Sequence, residues 1–496
     1  MLKQLQNSEG CNKLIKQIES QSVVECRFPQ SSEITEVVAV YPQVSLVSCE
    51  VSSGRVNYSG KLILTIVYSD EDGKLCRMQK GAEFSHFADD DCLAPAQNGV
   101  CALSCAKTTV KREGSSFVIA AIISADISIY ARTDRTYVCG AEGAFVKKES
   151  VSFSSAVTFS GESEVEDDFE ADSVVDVLIP CAKAVVLSSA CGTGEVEASG
   201  EIYLSLFAMR QQNPICLERI IPFKCVIPCD DASVGRRAAT RAEISDLNVT
   251  ANVNEDKGRC QIDFVCNLNL SGWFADEHTE EVAVDAFSDT NVIELTDTEE
   301  VMPRCVDVKV YTERVSGLAA TKSKLTYDCK FLAAALPQAE CSFNEQTGCV
   351  EGAVNTVLIY EQNGEIKSTD VSLPFSVVLN GAREDGQTVT EDVAVCGVSV
   401  RLKAEGEAEA EATLKICVTV CDERKVTYLT KIEEGEEVEV NDCAVSVFLP
   451  TAGDGLWDIA KKLKKSPDDV SACNSELKFP LTGKERIIVY RGKKAN

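Results

Sequence analysis

Three features of this sequence predict a mainly β protein, with three repeated antiparallel β-sandwich or barrel-like domains followed by a small βααβ (α+β) module. Apolar residues alternate with period two through most of the chain, as in Val118–Ile129 and Leu414–Val420, and these runs are rich in β-branched residues. A glycine-framed strand pattern recurs at whole-domain spacing. Only residues 445–496 switch to sustained helical spacing between two short strands.

At the N-terminus, Leu14, Ile15 and Ile18 fall on one helical face, which predicts a helical segment over residues 1–30 that Gly10 keeps short. The repeats are expected at 31–160, 161–300 and 301–442, with the terminal module at 443–496. Gly54-Arg-Val-Asn-Tyr-Ser-Gly60 returns as Gly194-Glu-Val-Glu-Ala-Ser-Gly200, and in shortened form as Gly348-Cys-Val-Glu-Gly352. An apolar strand follows each copy. Leu62, Ile202 and Val354 stand at its second position, Ile66, Leu206 and Leu358 at its sixth, and Tyr68, Ala208 and Tyr360 at its eighth. Phe84, Phe223 and Phe375 come next at nearly constant offset. The first glycine of each copy suits a turn, and the second marks a bulge or a close backbone approach. Periodicity does not choose between sandwich and barrel.

In the terminal module, Val445–Phe448 alternate and Gly453-Asp454-Gly455 make a turn, with Asp454 placed to cap a helix. Leu456, Ile459, Ala460 and Leu463 then share one buried face. Ser466-Pro467-Asp468-Asp469 starts a second helix, with serine at the cap, proline in the first turn and acids at the positive end. Arg486–Tyr490 alternate again and can close a two-stranded sheet.

Charge limits the partners. The 496 residues carry a net −29, yet residues 445–496 hold ten Lys/Arg against six Asp/Glu, a net of +4 that leaves −33 on the remainder. Nucleic acid and anionic membrane surfaces are therefore unsuited to the chain as a whole, and no apolar run is long enough to insert in a membrane as a helix. Lys461, Lys462, Lys464 and Lys465 cluster where cations complement a helix C-terminus, and the same patch can meet an acidic partner.

The 24 cysteines include no C-x-x-C pair, and His86 and His278 are the sole histidines, so no metal site or cofactor is expected. Most cysteines lie in alternating apolar runs such as Cys260–Cys266, and residues 1–30 have no apolar core of the kind a secretion signal needs. Reduced, core-filling thiols in a cytoplasm are the expectation, with crosslinking after cell lysis, or within an oxidised assembly, as the competing one. Neither a phosphate-binding loop nor a nucleophile elbow occurs. The acidic run Glu405–Glu411 reads as the solvated face of an edge strand. No catalytic residues are predicted, and the chain is expected not to be an enzyme.

The strand-helix-helix-strand pattern of residues 445–490 resembles a lysin motif (LysM). Three acidic, mainly β copies ahead of it resemble the SPOCS-domain (spore and coat) proteins of endospore-forming bacteria that end in LysM. That resemblance implies a non-enzymatic morphogenetic scaffold of the mother-cell cytoplasm at the forespore surface, binding the ATPase that polymerises into the basement layer of the spore coat. Its partner-binding groove and basic face would comprise Gly453, Asp454, Gly455, Leu456, Trp457, Lys461, Lys462, Lys464, Lys465, Asn474, Ser475 and Leu477. The family's usual Gly-Asp-Thr turn is Gly453-Asp454-Gly455 here, and its Pro-Gly-Gln is replaced by Leu481-Thr482-Gly483-Lys484. Both departures weigh against the alternative partner, a peptidoglycan or N-acetylglucosamine glycan. Trp457 is the candidate aromatic anchor, and core packing beside Ile459 and Ala460 is its competing role.

Overall fold

The structure, a computed structural model, describes the chain except for residues 1, 30–33, 115, 172, 174, 212, 255–258, 439–444 and 491–496. Strand dominates, in antiparallel sheets. The first six strands are β1 (Lys3–Pro29), β2 (Glu36–Ser52), β3 (Arg55–Ser69), β4 (Leu75–Asp89), β5 (Asn98–Glu113) and β6 (Ser116–Glu142). They form two sheets, β2-β3-β4 and β1-β6-β5, whose inner faces share one core around Tyr58, Leu62, Ile119 and Ile127. Two sheets packed face to face over alternating inward residues make a sandwich.

The same order recurs. Strands β7 (Phe145–Ala171), β8 (Asp176–Cys191), β9 (Glu195–Arg210), β10 (Asn213–Pro228), β11 (Ala238–Asn254) and β12 (Arg259–Phe287) give sheets β10-β9-β8 and β11-β12-β7 around Ile202, Phe264 and Leu270. Strands β13 (Asn291–Thr321), β14 (Lys330–Asn344), β15 (Cys349–Gln362), β16 (Glu365–Val378), β17 (Gln387–Ala404) and β18 (Glu407–Glu437) repeat the arrangement. Here Ala320 and Thr321 pair with Ser372 and Val371, joining both halves into one six-stranded sheet, β14-β15-β16-β13-β18-β17. The first two sets are thus sandwiches, and the third is closed at one corner.

The glycine and phenylalanine positions of the repeat meet. Gly60 is the cross-strand partner of Phe84, Gly200 of Phe223 and Gly352 of Phe375. A Cβ at Gly200 would lie 2.0 Å from the Val185 carbonyl oxygen and 2.5 Å from the Phe223 ring, so the ring and the neighbouring strand occupy the space a side chain would need. A bulge interrupts the pairing opposite Gly60, between Leu46 and Ser48, and opposite Gly200, between Val186 and Ser188. The leading glycines, Gly54, Gly194 and Gly348, turn with positive φ of 71°, 74° and 67°.

Three expectations are corrected. Residues 3–29 form strand β1, paired along its length with β6, rather than a helix. Leu14 and Ile15 suggested helical spacing, but the pairing shifts between Leu14 and Lys16, so an extra residue at a bulge mimics it, and both side chains are exposed. The expected boundaries at 160 and 300 fall inside β7 and β13, because each set of six strands opens with a strand that begins well before its sandwich. Finally, Glu407–Glu411 lie on a central strand, since β18 is bonded by β13 on one side and β17 on the other. The solvated face is as expected, with Ala408, Ala410 and Ala412 buried between the glutamates. The edge is covered, and Arg401 pairs with Glu409 across the strands at 2.7 Å.

The strand pairs β1/β6, β7/β12 and β13/β18 all overrun their sheets, and the projecting ends meet in one cluster of Tyr137, Phe153, Val282, Met302, Val426 and Tyr428. A second junction, containing Tyr41, Ile179, Phe207 and Ile359, joins strands of all three sets elsewhere. The chain ends in β19 (Val445–Phe448), α1 (Leu456–Leu463), α2 (Pro467–Cys473) and β20 (Ile487–Tyr490), with β19 antiparallel to β20. No helix among the described residues is long and apolar enough to cross a membrane.

Candidate functional site

The terminal βααβ module has its own core of Ile459, Ala460, Val470, Leu481, Ile487 and Val489, against which Leu456, Leu463 and Leu477 pack half-buried. Ser466 accepts a hydrogen bond from the Asp468 N–H at 3.2 Å and Pro467 opens α2, as the sequence predicts. At α1 the cap differs. Gly455 is the N-cap, and its N–H donates to the Asp458 carboxylate at 2.9 Å. Asp454 instead accepts from the Thr451 N–H at 2.9 Å and from Lys462 Nζ at 2.7 Å, so its carboxylate closes the preceding turn and sits below the usual range, chiefly through the Lys462 bond.

The module is seated on the projecting end of β7/β12. Trp457 Nε1–H donates to Asp285 Oδ2 at 2.8 Å, and Lys461 Nζ donates to Oδ1 at 2.6 Å. The indole meets Phe287 edge-on with ring centroids 5.0 Å apart, and Phe287 in turn touches Phe145. Burial opposes ionisation of Asp285, but the bonds from Lys461 and Trp457 outweigh it and hold the carboxyl below its ordinary range. Trp457 and Lys461 therefore face this chain's own body.

The remaining predicted residues divide. Asn474 is buried, and its amide donates to the carbonyls of Val470 and Ile488 while its oxygen accepts the Ile488 N–H, each at 2.8 Å. It ties α2 to β20. Gly453 turns with φ of 96°, its N–H donating to the Leu481 carbonyl at 2.8 Å, while the Leu481 N–H donates to the Asp454 carbonyl at 2.9 Å. The loops around Gly453 and Leu481 thus spend backbone groups on each other. Lys464 adopts the left-handed conformation at the C-cap of α1; it and Lys465 are half-exposed and have no ion pair among the described residues. Ser475 is exposed.

A surface that helical and basic motifs do not flag lies on the two-stranded sheet. Val445 is directly opposite Tyr490, and Val447 opposite Ile488, so all four side chains share one face. They are 38–61% exposed, whereas Ile487 and Val489 on the other face are buried. Burial alternates along Ile487–Tyr490 as expected, but all four residues are apolar, the mark of a strand that is apolar on both sides.

A second polar constellation sits where the three projecting strand pairs meet. The Arg135 side chain is fully buried; its Nε and Nη2 donate to the two Glu300 oxygens at 2.9 Å, Nη1 donates to Glu9 at 2.7 Å, and Nη2 also donates to the Ser154 carbonyl at 2.9 Å. Its guanidinium lies over Phe153, 4.5 Å from the centroid. Tyr428 donates to Glu300 at 2.7 Å and Lys13 pairs with the same carboxylate. Burial raises the Glu300 pKa, but Arg135, Lys13 and Tyr428 together pull it down to about 2. A cavity of about 350 Å³ opens beside this network. Its Arg135, Glu300 and Tyr428 are committed to one another, which suits them to clamping strands from all three sets.

Comparison of the chain with protein-family models, with curated proteins and with solved structures gives no match.

Proposed function

We propose that the protein is a non-enzymatic scaffold in which three SPOCS-like sandwich units form an acidic body and a LysM-like module presents a surface to a protein partner. The observation that carries this reading is the exposed apolar face of Val445, Val447, Ile488 and Tyr490 on a basic module that Trp457 and Lys461 fix to the body. An exposed apolar cluster with Tyr490 as aromatic anchor and the exposed Arg486 adjoining the strand has the composition of a protein-docking patch. The resemblance in domain order supplies the setting. The partner is the spore-coat morphogenetic ATPase, and the site of action is the mother-cell cytoplasm at the forespore surface.

The competing reading, glycan binding through the loops around Gly453 and Leu481, is disfavoured by their mutual backbone bonds. Cosedimentation decides. Full-length protein should bind the coat ATPase, and placing glutamates at Val447 and Tyr490 should weaken that binding at least tenfold with the β fold intact. Retention on purified peptidoglycan, with no affinity for the ATPase, would replace this proposal with the glycan one.

A further inference from the structure

Cys305 on β13 and Cys421 on β18 are direct partners in an antiparallel pair, immediately before a bulge at which the pairing resumes with Asp307 and Val420. Directly opposed residues project to the same face with Cα atoms ~4.5–5.5 Å apart, inside the ~4.4–6.8 Å span of disulfides. Both thiols are free. Cys305 is buried and Cys421 is partly open to solvent.

We propose that Cys305 and Cys421 form an oxidation site, a preset dithiol that a peroxide closes into a disulfide across β13 and β18. In the first step the Cys421 thiolate attacks one oxygen of hydrogen peroxide, the O–O bond breaks, and the departing hydroxide takes a proton to leave as water; Cys421 becomes a sulfenic acid. In the second, the Cys305 sulfur attacks the Cys421 sulfur, the S–O bond breaks, and the Cys305 proton leaves with the hydroxide as a second water. Two thiols are oxidised by two electrons and one peroxide is reduced. The roles follow from the environments. Cys421 is partly open to solvent, where a peroxide can reach it, whereas Cys305 is buried behind it and can attack only the sulfur of its strand partner.

The position gives the bond a consequence. It lies where β13 and β18 leave their sheet and run on toward Met302, Val426 and Tyr428 in the shared cluster. A disulfide there pins the base of the third projecting strand pair.

The test is a peptide map of the reduced full-length protein after hydrogen peroxide, at a dose that leaves its far-ultraviolet signal unchanged, with remaining thiols alkylated. The expected result is a linked peptide pair containing Cys305 and Cys421, cleaved by reductant and absent from C305S. The exposed Cys92 reports that oxidant was effective. If Cys92 is oxidised while Cys305 and Cys421 stay alkylatable, or if Cys421 links to another cysteine, the proposal is overturned. The wild-type map decides the matter even if C305S does not fold.

Discussion

The indole N–H of Trp457 donates to the Asp285 carboxylate at 2.8 Å, joining the terminal module to the end of strand β12. Asp285 also binds Lys461. Asp285→Ala should therefore remove two contacts at once and loosen the seating of the module by about 1–3 kcal/mol. Hydrogen exchange should show protection falling in Leu456–Leu463 while the sandwich cores keep theirs. Because the folded pKa of Asp285 is depressed, the contact is at full strength above the unfolded carboxylate value and fades as pH falls through the lower folded one.

Acid should open the junction of the three strand pairs. Glu300 is held at about 2 against an ordinary 4.5, and a carboxyl so placed contributes at most about 3 kcal/mol. The sign follows from the depression: the contribution is complete above pH ~4.5 and is lost as pH falls toward 2. Glu300→Gln should flatten this part of the stability profile in denaturant titrations at stepped pH. Arg135→Ala, which takes the bidentate guanidinium from Glu300 and leaves it only Lys13 and Tyr428, should cost about 3–5 kcal/mol at neutral pH.

Gly200→Ala tests the glycine and phenylalanine pairing. An added methyl would meet the Val185 carbonyl oxygen and the Phe223 ring, and the strands must part to admit it. The expected loss is about 1–3 kcal/mol in equilibrium unfolding. Gly54→Ala makes a useful contrast, since open space surrounds that position and only its positive φ opposes the change.

Asn474→Ala should destabilise the module through the backbone, leaving the Ile488 N–H and two carbonyls without their partner, at about 1–3 kcal/mol. Thermal melting that affects β19 and β20 before the sandwiches is the expected signature. If binding to a partner fell with no change in melting, Asn474 would be a contact residue rather than a tie.

Much of this fold was legible in the chain. The period-two runs became strands, and Leu62, Ile202 and Val354 are buried at the positions their spacing implied. The turn glycines and the module's order of elements were readable for the same reason, because they depend on local backbone preference and short-range pattern. The N-terminal strand was not. Its apolar residues are sparse and interrupted by a bulge, and its partners on β6 are distant in sequence, from Glu142 opposite Lys3 to Ser116 opposite Pro29. The seating of the module was hidden likewise: nothing near Trp457 in sequence announces Asp285.

By itself the sequence determined the class of structure, the recurrence of its strand pattern and the charge contrast between body and module, since each is set by residue type and spacing along one strand or helix. Only the tertiary structure decided which faces are spent and which are free. Trp457 and Lys461 turn inward and Val445, Val447, Ile488 and Tyr490 turn outward because orientation is fixed by long-range contacts, chiefly those to Asp285 and Phe287, that no local pattern encodes.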